Sequence, residues 1–143
     1  MTEWHYKGAP FDENLAVGYH GFVYLITDLT TGEKYIGKKN FHFRRKNKKS
    51  ARRVKSDSDW KTYYGSSETL NARITLSGSA NFKREILVLC KTAGELNFAE
   101  VMALFHVRAL EDDRYINESI NKWRSKNVKN YTCLNDLRAL LIT

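Results

Sequence analysis

Gly21-Phe22-Val23-Tyr24-Leu25-Ile26-Thr27-Asp28-Leu29-Thr30-Thr31-Gly32-Glu33-Lys34-Tyr35-Ile36-Gly37 is the stretch on which the fold turns. Its first part is rich in β-branched and aromatic residues, Thr30-Thr31-Gly32 is turn chemistry, and Tyr35-Ile36 resumes a strand. The pattern predicts a β-hairpin over roughly 21–38 with a loop of four to six residues. Directly opposed residues of an antiparallel pair share a face. An even-numbered loop therefore sets Tyr24 opposite Tyr35 or Gly37 and brings both phenols to one face, unless a bulge intervenes. Lys38 and Lys39 follow at once. From these residues alone two readings stand: ordinary cross-strand aromatic packing, or a polar site on a small sheet.

The rest of the chain narrows the choice. At 143 residues it supports one domain, 1–143, with a hydrophobic core. The N-terminus lacks a basic-then-apolar leader, and no apolar run reaches the length of a membrane span, so the expected location is the cytoplasm and no membrane partner is expected. Cys90 and Cys133 follow no metal-ligand spacing and read as free thiols of a reducing compartment. The net charge of +8 is localised. Between Lys38 and Lys55 stand ten basic residues and no acidic one, leaving 14 basic and 16 acidic residues elsewhere, a net of −2. A near-neutral domain thus carries one basic arm, 38–55. Such an arm meets polyanions, chiefly nucleic acid, or is a solvated charge run. Its aromatic punctuation favours nucleic acid. The expected nucleic-acid contacts are Lys39, Arg44, Lys46, Lys48, Lys49, Arg52, Arg53 and Lys55, with Trp60 or Phe43 stacking or wedging.

Along the chain, residues 1–20 read as a lead-in whose Trp4, Tyr6 and Phe11 pack on the sheet. Ser56-Asp57-Ser58-Asp59 is an N-cap cluster before a short helical segment ending at Gly65. A helix is predicted from Ser66-Ser67-Glu68 to about Leu76, with Gly78 as its stop. Asn81–Cys90 reads as a strand, and Glu95 to Glu111 as a helix. Ile120–Lys126 and Leu134–Leu141 read as helical, within a C-terminal extension, 118–143, that has no assigned place against the core. The fold class expected is α/β (α+β): a small three-stranded antiparallel sheet flanked by helices, with the basic arm inserted after the second strand.

Glu100 is the second site candidate. Leu96, Leu104 and Val107 stand four before, four after and seven after it, which sets its carboxylate on an apolar stripe. A carboxylate so placed needs a metal or a cation, such as Arg84. Asn117, after Asp112-Asp113-Arg114-Tyr115-Ile116, reads on its own as a turn or cap residue.

Taken together, Gly21-Phe22-Val23-Tyr24 and Tyr35-Ile36-Gly37 resemble the signature of the GIY-YIG nuclease family, with Phe-Val in the middle of the first element. Glu100 and Asn117 match the family's glutamate and asparagine, so the resemblance runs from Gly21 to Asn117. Asp59-Trp60-Lys61-Thr62-Tyr63-Tyr64-Gly65-Ser66-Ser67, Asn81-Phe82-Lys83-Arg84-Glu85-Ile86-Leu87 and Gly94-Glu95-Leu96-Asn97 are similar to stand-alone phage-encoded members, many of them homing-type endonucleases. The resemblance implies a GIY-YIG-like fold and a metal-dependent endodeoxyribonuclease acting on double-stranded DNA in a host-cell cytoplasm. Within it Tyr24 would help deprotonate water, Tyr35 would support it, and Glu100 would hold one Mg²⁺ or Mn²⁺. Asn117 would orient the site. The family's arginine follows the second tyrosine by about ten residues, on a helix. Arg45 holds that spacing and Arg44 is next to it, while Lys38 is the alternative cation. Tyr64 is the nearest match to the family's further histidine or tyrosine. Oligomeric state is left open, a homodimer included. The competing class is a non-catalytic basic nucleic-acid-binding protein that keeps a nuclease-like hairpin.

Overall fold

The computed structural model describes residues 3–46 and 53–142, with backbone alone for 44–46 and 53–55. In chain order the strands and helices are β1 (Trp4–Tyr6), β2 (Ala9–Pro10), β3 (Gly21–Asp28), β4 (Lys34–Asn40), β5 (His42–Lys46), β6 (Arg53–Asp57), α1 (Glu68–Ser77), β7 (Phe82–Cys90), α2 (Ala93–His106), β8 (Ser119–Ile120), β9 (Trp123–Arg124), α3 (Ser125–Val128) and α4 (Leu134–Leu141). The central hairpin forms as expected, with Tyr24 opposite Gly37 and Ile26 opposite Tyr35. The Asp28 N–H donates to the Glu33 carbonyl at 2.8 Å and encloses the four residues 29–32. Gly32 takes the left-handed conformation (φ 79) that the turn requires. This even loop fixes both phenols on one face. A bulge does occur, but it lies between β3 and β7, where Val23 pairs with Val88 and Tyr24 with Ile86. The β3–β4 register is untouched.

The sheet is larger than the three antiparallel strands expected. It has five strands in the order β2-β1-β7-β3-β4 and is mixed, because β1 runs parallel to β7. Strands β7, β3 and β4 are the antiparallel core of that expectation. The added pair comes from the lead-in, where Lys7 (φ 52) and Gly8 (φ 83) turn the chain back on itself. Trp4-His5-Tyr6 is too short to carry a legible period, and Pro10 is tolerated because β2 is an edge.

Alternation along β3 divides the interior in two. Phe22, Tyr24 and Ile26 face an aromatic core with Trp4, Phe41, Trp60, Leu70 and Phe82. Val23 faces a second core with Ile36, Leu96, Leu104, Leu110 and Ile120, roofed by α2. A strand buried on both faces is apolar throughout, which is why β3 reads as it does. Ser67 caps α1 by accepting the Leu70 N–H at 3.2 Å, and Gly78 (φ 89) ends it. Thr92 caps α2 by accepting the Glu95 N–H at 3.1 Å. The helix stops at His106, short of the expected Glu111. Arg108 turns left-handed (φ 55), and the Ala109 N–H bonds back to the Leu104 carbonyl at 3.0 Å.

Two further expectations are corrected. The basic segment 38–55 is not wholly an arm inserted after the second strand. Its first residues complete β4, Phe41 is buried against Phe22 and Trp60, and β5 and β6 then pair as a separate two-stranded ribbon. The helix expected over 120–126 begins only at Ser125, as α3; residues 120–124 are not helical. β8 and β9 form a small hairpin around Asn121 (φ 53), an asparagine-led turn of the kind that two-residue hairpins favour. Helix α4 lies where Leu134–Leu141 predicts it, tied by Arg138 to Glu111 at 2.7 and 2.5 Å.

Arg84 is not the partner of Glu100. It is 1 % exposed, on the aromatic side, with its guanidinium 4.5 Å from the Trp4 ring and 4.2 Å from the Tyr64 ring. It donates to the carbonyls of Lys61 at 3.2 Å and Tyr63 at 2.8 Å. This arginine therefore locks the 60–65 segment onto the sheet. Arg84→Met removes both donors and the plate between the rings, and should cost about 3 kcal/mol of stability in urea denaturation. A loss below about 1 kcal/mol would mean that the two carbonyls find other donors.

Candidate active site

The site is built around the edge of the sheet. β4 is an edge strand, and its residues alternate between the two cores. Tyr35, Gly37 and Lys39 fall on the aromatic side, and Ile36 and Lys38 on the α2 side. Gly37 has no side chain to separate the two. A Cβ there would overlap the Tyr24 hydroxyl and come within 2.5 Å of its Cζ. The Tyr24 ring thus lies across the backbone of β4, with its centroid 6.2 Å from that of Tyr35. Gly65 (φ 95) closes the other side, where a Cβ would sit 3.2 Å from the Tyr24 hydroxyl and 3.3 Å from the Tyr35 ring. The Tyr35 hydroxyl lies 3.3 Å from Ser66 Oγ.

From the opposite face α2 brings Asn97 and Glu100. Lys38 Nζ donates to Asn97 Oδ1, and Lys38 is the cation acting on the Glu100 carboxylate. Burial nevertheless raises the pKa of Glu100 above its ordinary 4.5, with Lys38 opposing. Its apolar neighbours Leu96 and Leu104 are buried, as the stripe implied. The charge of Glu100 in turn raises the pKa of both tyrosines, so the two faces meet electrically around the β4 edge.

Asn117 is the residue that secures this edge. Its side-chain amide receives the Ile36 N–H at 3.0 Å and donates to the Ile36 carbonyl at 2.8 Å, as a neighbouring strand would. Ahead of it, the Lys34 N–H donates to the Arg114 carbonyl and the Ile116 N–H to the Lys34 carbonyl, both at 2.7 Å. Ile36 stands between Tyr35 and Gly37, so Asn117 acts on the site through the backbone.

Both phenols hold their protons firmly. Burial is the main cause of a strongly raised pKa for Tyr24, followed by the nearby Tyr35 and Tyr63, a hydrogen bond shared with Tyr63, and Glu100. Tyr35 is raised chiefly by burial, with the Ser66 contact opposing. The nearby lysines Lys38 and Lys39 do not offset this.

Other expected residues fall elsewhere. Arg44 and Arg45 lie on β5, a ribbon strand and not a helix, together with Lys46; Arg53 and Lys55 lie on β6. Lys48, Lys49 and Arg52 lie outside the described residues. Trp60 is 8 % exposed among Phe11, Phe22 and Phe41, and its carbonyl receives the Trp4 indole N–H at 2.8 Å. It is a core residue and cannot wedge between bases. Tyr64 stacks on Arg84, while the adjacent Tyr63 stands edge-on to Tyr24 with centroids 6.0 Å apart. Tyr63, Ser66 and Asn97 are the site residues that sequence reasoning missed. Asn97 was findable, three residues before Glu100 on the same helical face. Nothing in a Tyr-Tyr pair says which one turns inward.

The donor set fits a hard divalent cation. Among the described residues no group of three His, Cys, Asp or Glu could hold a metal by itself. Mg²⁺, however, commonly takes one or two carboxylates and completes its shell with water and substrate phosphate, which a single half-buried Glu100 suits.

Comparison with known proteins gives one family finding. The family described as "Putative endonuclease segE, GIY-YIG domain" matches residues 4–127. No curated protein and no solved structure matches the chain.

The contact of Gly37 with Tyr24 supplies a direct test. Gly37→Ala overpacks that contact and should destabilise the protein by about 1–3 kcal/mol in urea denaturation. An unchanged midpoint would show that Tyr24 can move off β4 without cost.

Proposed function

The chain belongs to the GIY-YIG endonuclease family, and from that premise we propose that it is a divalent-metal-dependent DNA endonuclease. The observation that carries this reading is the meeting of Tyr24, Tyr35, Lys38 and Glu100 around Gly37, from two faces of one sheet. The description of the matching family as a putative endonuclease supports cleavage; the assignment as a stand-alone, homing-type enzyme of the phage kind rests on the resemblance of residues 59–67, 81–87 and 94–97.

Tyr24 is a neutral phenol at rest, and its hydrogen bond to Tyr63 leaves the oxygen lone pairs free to accept from an attacking water. Tyr35, in contact with Ser66, stands beside Tyr24 and holds the phenol pair in place. Mg²⁺ or Mn²⁺ held at Glu100 would stabilise the charge that develops on the leaving oxygen. Lys38 is the cation for the scissile phosphate. It acts on Glu100 directly, whereas Arg45 and Arg44 belong to the ribbon. Asn117 is a positioning residue that keeps the Tyr35–Gly37 backbone in register. The β5–β6 ribbon, with Arg44, Lys46, Arg53 and Lys55, tracks phosphates of the duplex, and Lys48, Lys49 and Arg52 are assigned the same task from their charge.

Plasmid cleavage in Mg²⁺ tests the assignment. Glu100→Ala should abolish cutting, and Lys38→Ala should lower the rate by about 10²–10³-fold, the usual loss of one transition-state donor. Arg45→Ala should weaken binding more than turnover. Equal cutting by wild type and Glu100→Ala would overturn the metal role. Binding without cutting by the wild type would establish the competing, non-catalytic reading.

A pH series adds a second check. Metal binding needs the ionised carboxylate, and burial raises the pKa of Glu100. As pH falls through that raised value the carboxylate protonates, so the Mg²⁺ concentration for half-maximal cleavage should rise at a pH above 4.5. A half-maximal concentration constant down to that pH would assign the metal elsewhere.

A further inference from the structure

Lys39 follows Lys38 in the basic run, yet strand alternation sends it to the opposite face. Its ammonium lies 2.6 Å from Asp59 Oδ1, 4.1 Å from the centre of the Tyr63 ring and 5.2 Å from that of Phe43. The side chain is 12 % exposed. These three partners come from different parts of the molecule. Phe43 is on β5 at the base of the ribbon, Asp59 follows β6 where the ribbon returns, and Tyr63 is the phenol joined to Tyr24. The ribbon base is also closed by the backbone. Ser58 Oγ donates to the Asn40 carbonyl at 2.6 Å, and the Ser58 N–H to the Phe41 carbonyl at 2.9 Å.

We propose that Lys39 is a positioning residue of the nuclease site, which holds the Tyr63 ring against Tyr24 and fixes the ribbon to it, and is not a DNA contact. The inference rests on the nuclease reading above. A lysine that met phosphate would have to leave both a carboxylate at 2.6 Å and an aromatic face, and would give up two charge-based interactions for one. Where it stands, it fixes the ring plane of Tyr63 and so the direction of the hydrogen bond to Tyr24. Asp59 anchors the ammonium; the hydrogen bond from Lys39 is the main cause of that carboxylate's lowered pKa.

The two roles make opposite predictions at Asp59. If Lys39 positions Tyr63, Lys39→Met and Asp59→Asn should each lower kcat by about tenfold, a cation–π contact's worth of rate. DNA affinity and its salt slope should be unchanged. The double variant should be no worse than either single one, because both break the same link. Lys39→Arg should recover most of the rate. If instead Lys39 meets phosphate, Lys39→Met should reduce the salt slope by about one. Asp59→Asn should then tighten binding by removing a negative charge, with kcat unaltered. That pattern, or unchanged kcat in Lys39→Met, overturns the proposal. An arm without DNA separates it from the nuclease reading. The aromatic ¹³C resonances of Tyr63 should shift in Lys39→Met. If the wild type cuts no DNA, the nuclease reading fails, while a Tyr63 shift still upholds the placement of Lys39; unshifted resonances overturn that placement as well.

Discussion

The contact of the Tyr24 hydroxyl with the bare backbone of Gly37 is the constraint on which the rest of the site depends. A sheet separates its faces, and residues on opposite faces do not ordinarily meet. Here the edge strand has no side chain at the position the phenol covers, so the ring packs directly on its backbone. Tyr24 is carried by the aromatic core and Glu100 by α2, yet the Glu100 carboxylate adds to the raised pKa of Tyr24. Any residue with a Cβ at position 37 would push the phenol off the strand. Gly21 shows the same logic at the start of β3, where a Cβ would come within 2.8 Å of Leu96 on α2. The glycines of both signature elements answer to close approach.

An edge strand is an unstable place for a site, since its outer backbone groups are unpaired. The chain answers with the 114–117 segment. Two backbone bonds to Lys34 and the paired bonds of the Asn117 amide to Ile36 finish the edge without adding a strand. Pairing stops at Ile36, one residue before Gly37. Beyond that point β4 is left for Lys38 on one face and Lys39 on the other. Adjacent lysines of the same composition thus have different surroundings, one beside Glu100 and Asn97, the other clamped by Asp59 and Tyr63.

The electrostatics of the resting protein oppose ionisation on every side. Burial raises the pKa of Tyr24, Tyr35 and Glu100 together. Three acidic groups within electrostatic reach of one another, all partly or wholly buried, cannot readily all lose protons, because each negative charge raises the cost of the next. Such a cluster gains most from an arriving cation.

Much of this was legible in the residues. The period of β3, the even loop, the caps at Ser67 and Gly78 and the apolar stripe around Glu100 are local signals. Local chemistry enforces them: alternation, turn conformations and 3.6-residue spacing act over a few residues and need no distant partner. The family match over residues 4–127 agrees with the signature read at Gly21–Gly37. What the sequence could not decide were choices between chemically equal neighbours and contacts across long separations. Tyr63 and Tyr64 differ only in which side of the backbone they occupy. Trp60 looked like a wedge because it borders a basic run, and is instead sealed among Phe11, Phe22 and Phe41. Arg84 could have paired with Glu100, but strand alternation sends it to the other face. The lead-in joins the sheet through a parallel pairing with β7, some eighty residues distant, and two short strands carry no period that would announce it. The sequence by itself determined the hairpin, its register and the identity of the acid on α2, because those follow from short-range stereochemistry. Only the tertiary structure decided which lysine stands beside Glu100 and which tyrosine beside Tyr24, because that depends on which face of the edge strand each one reaches and what is already packed there.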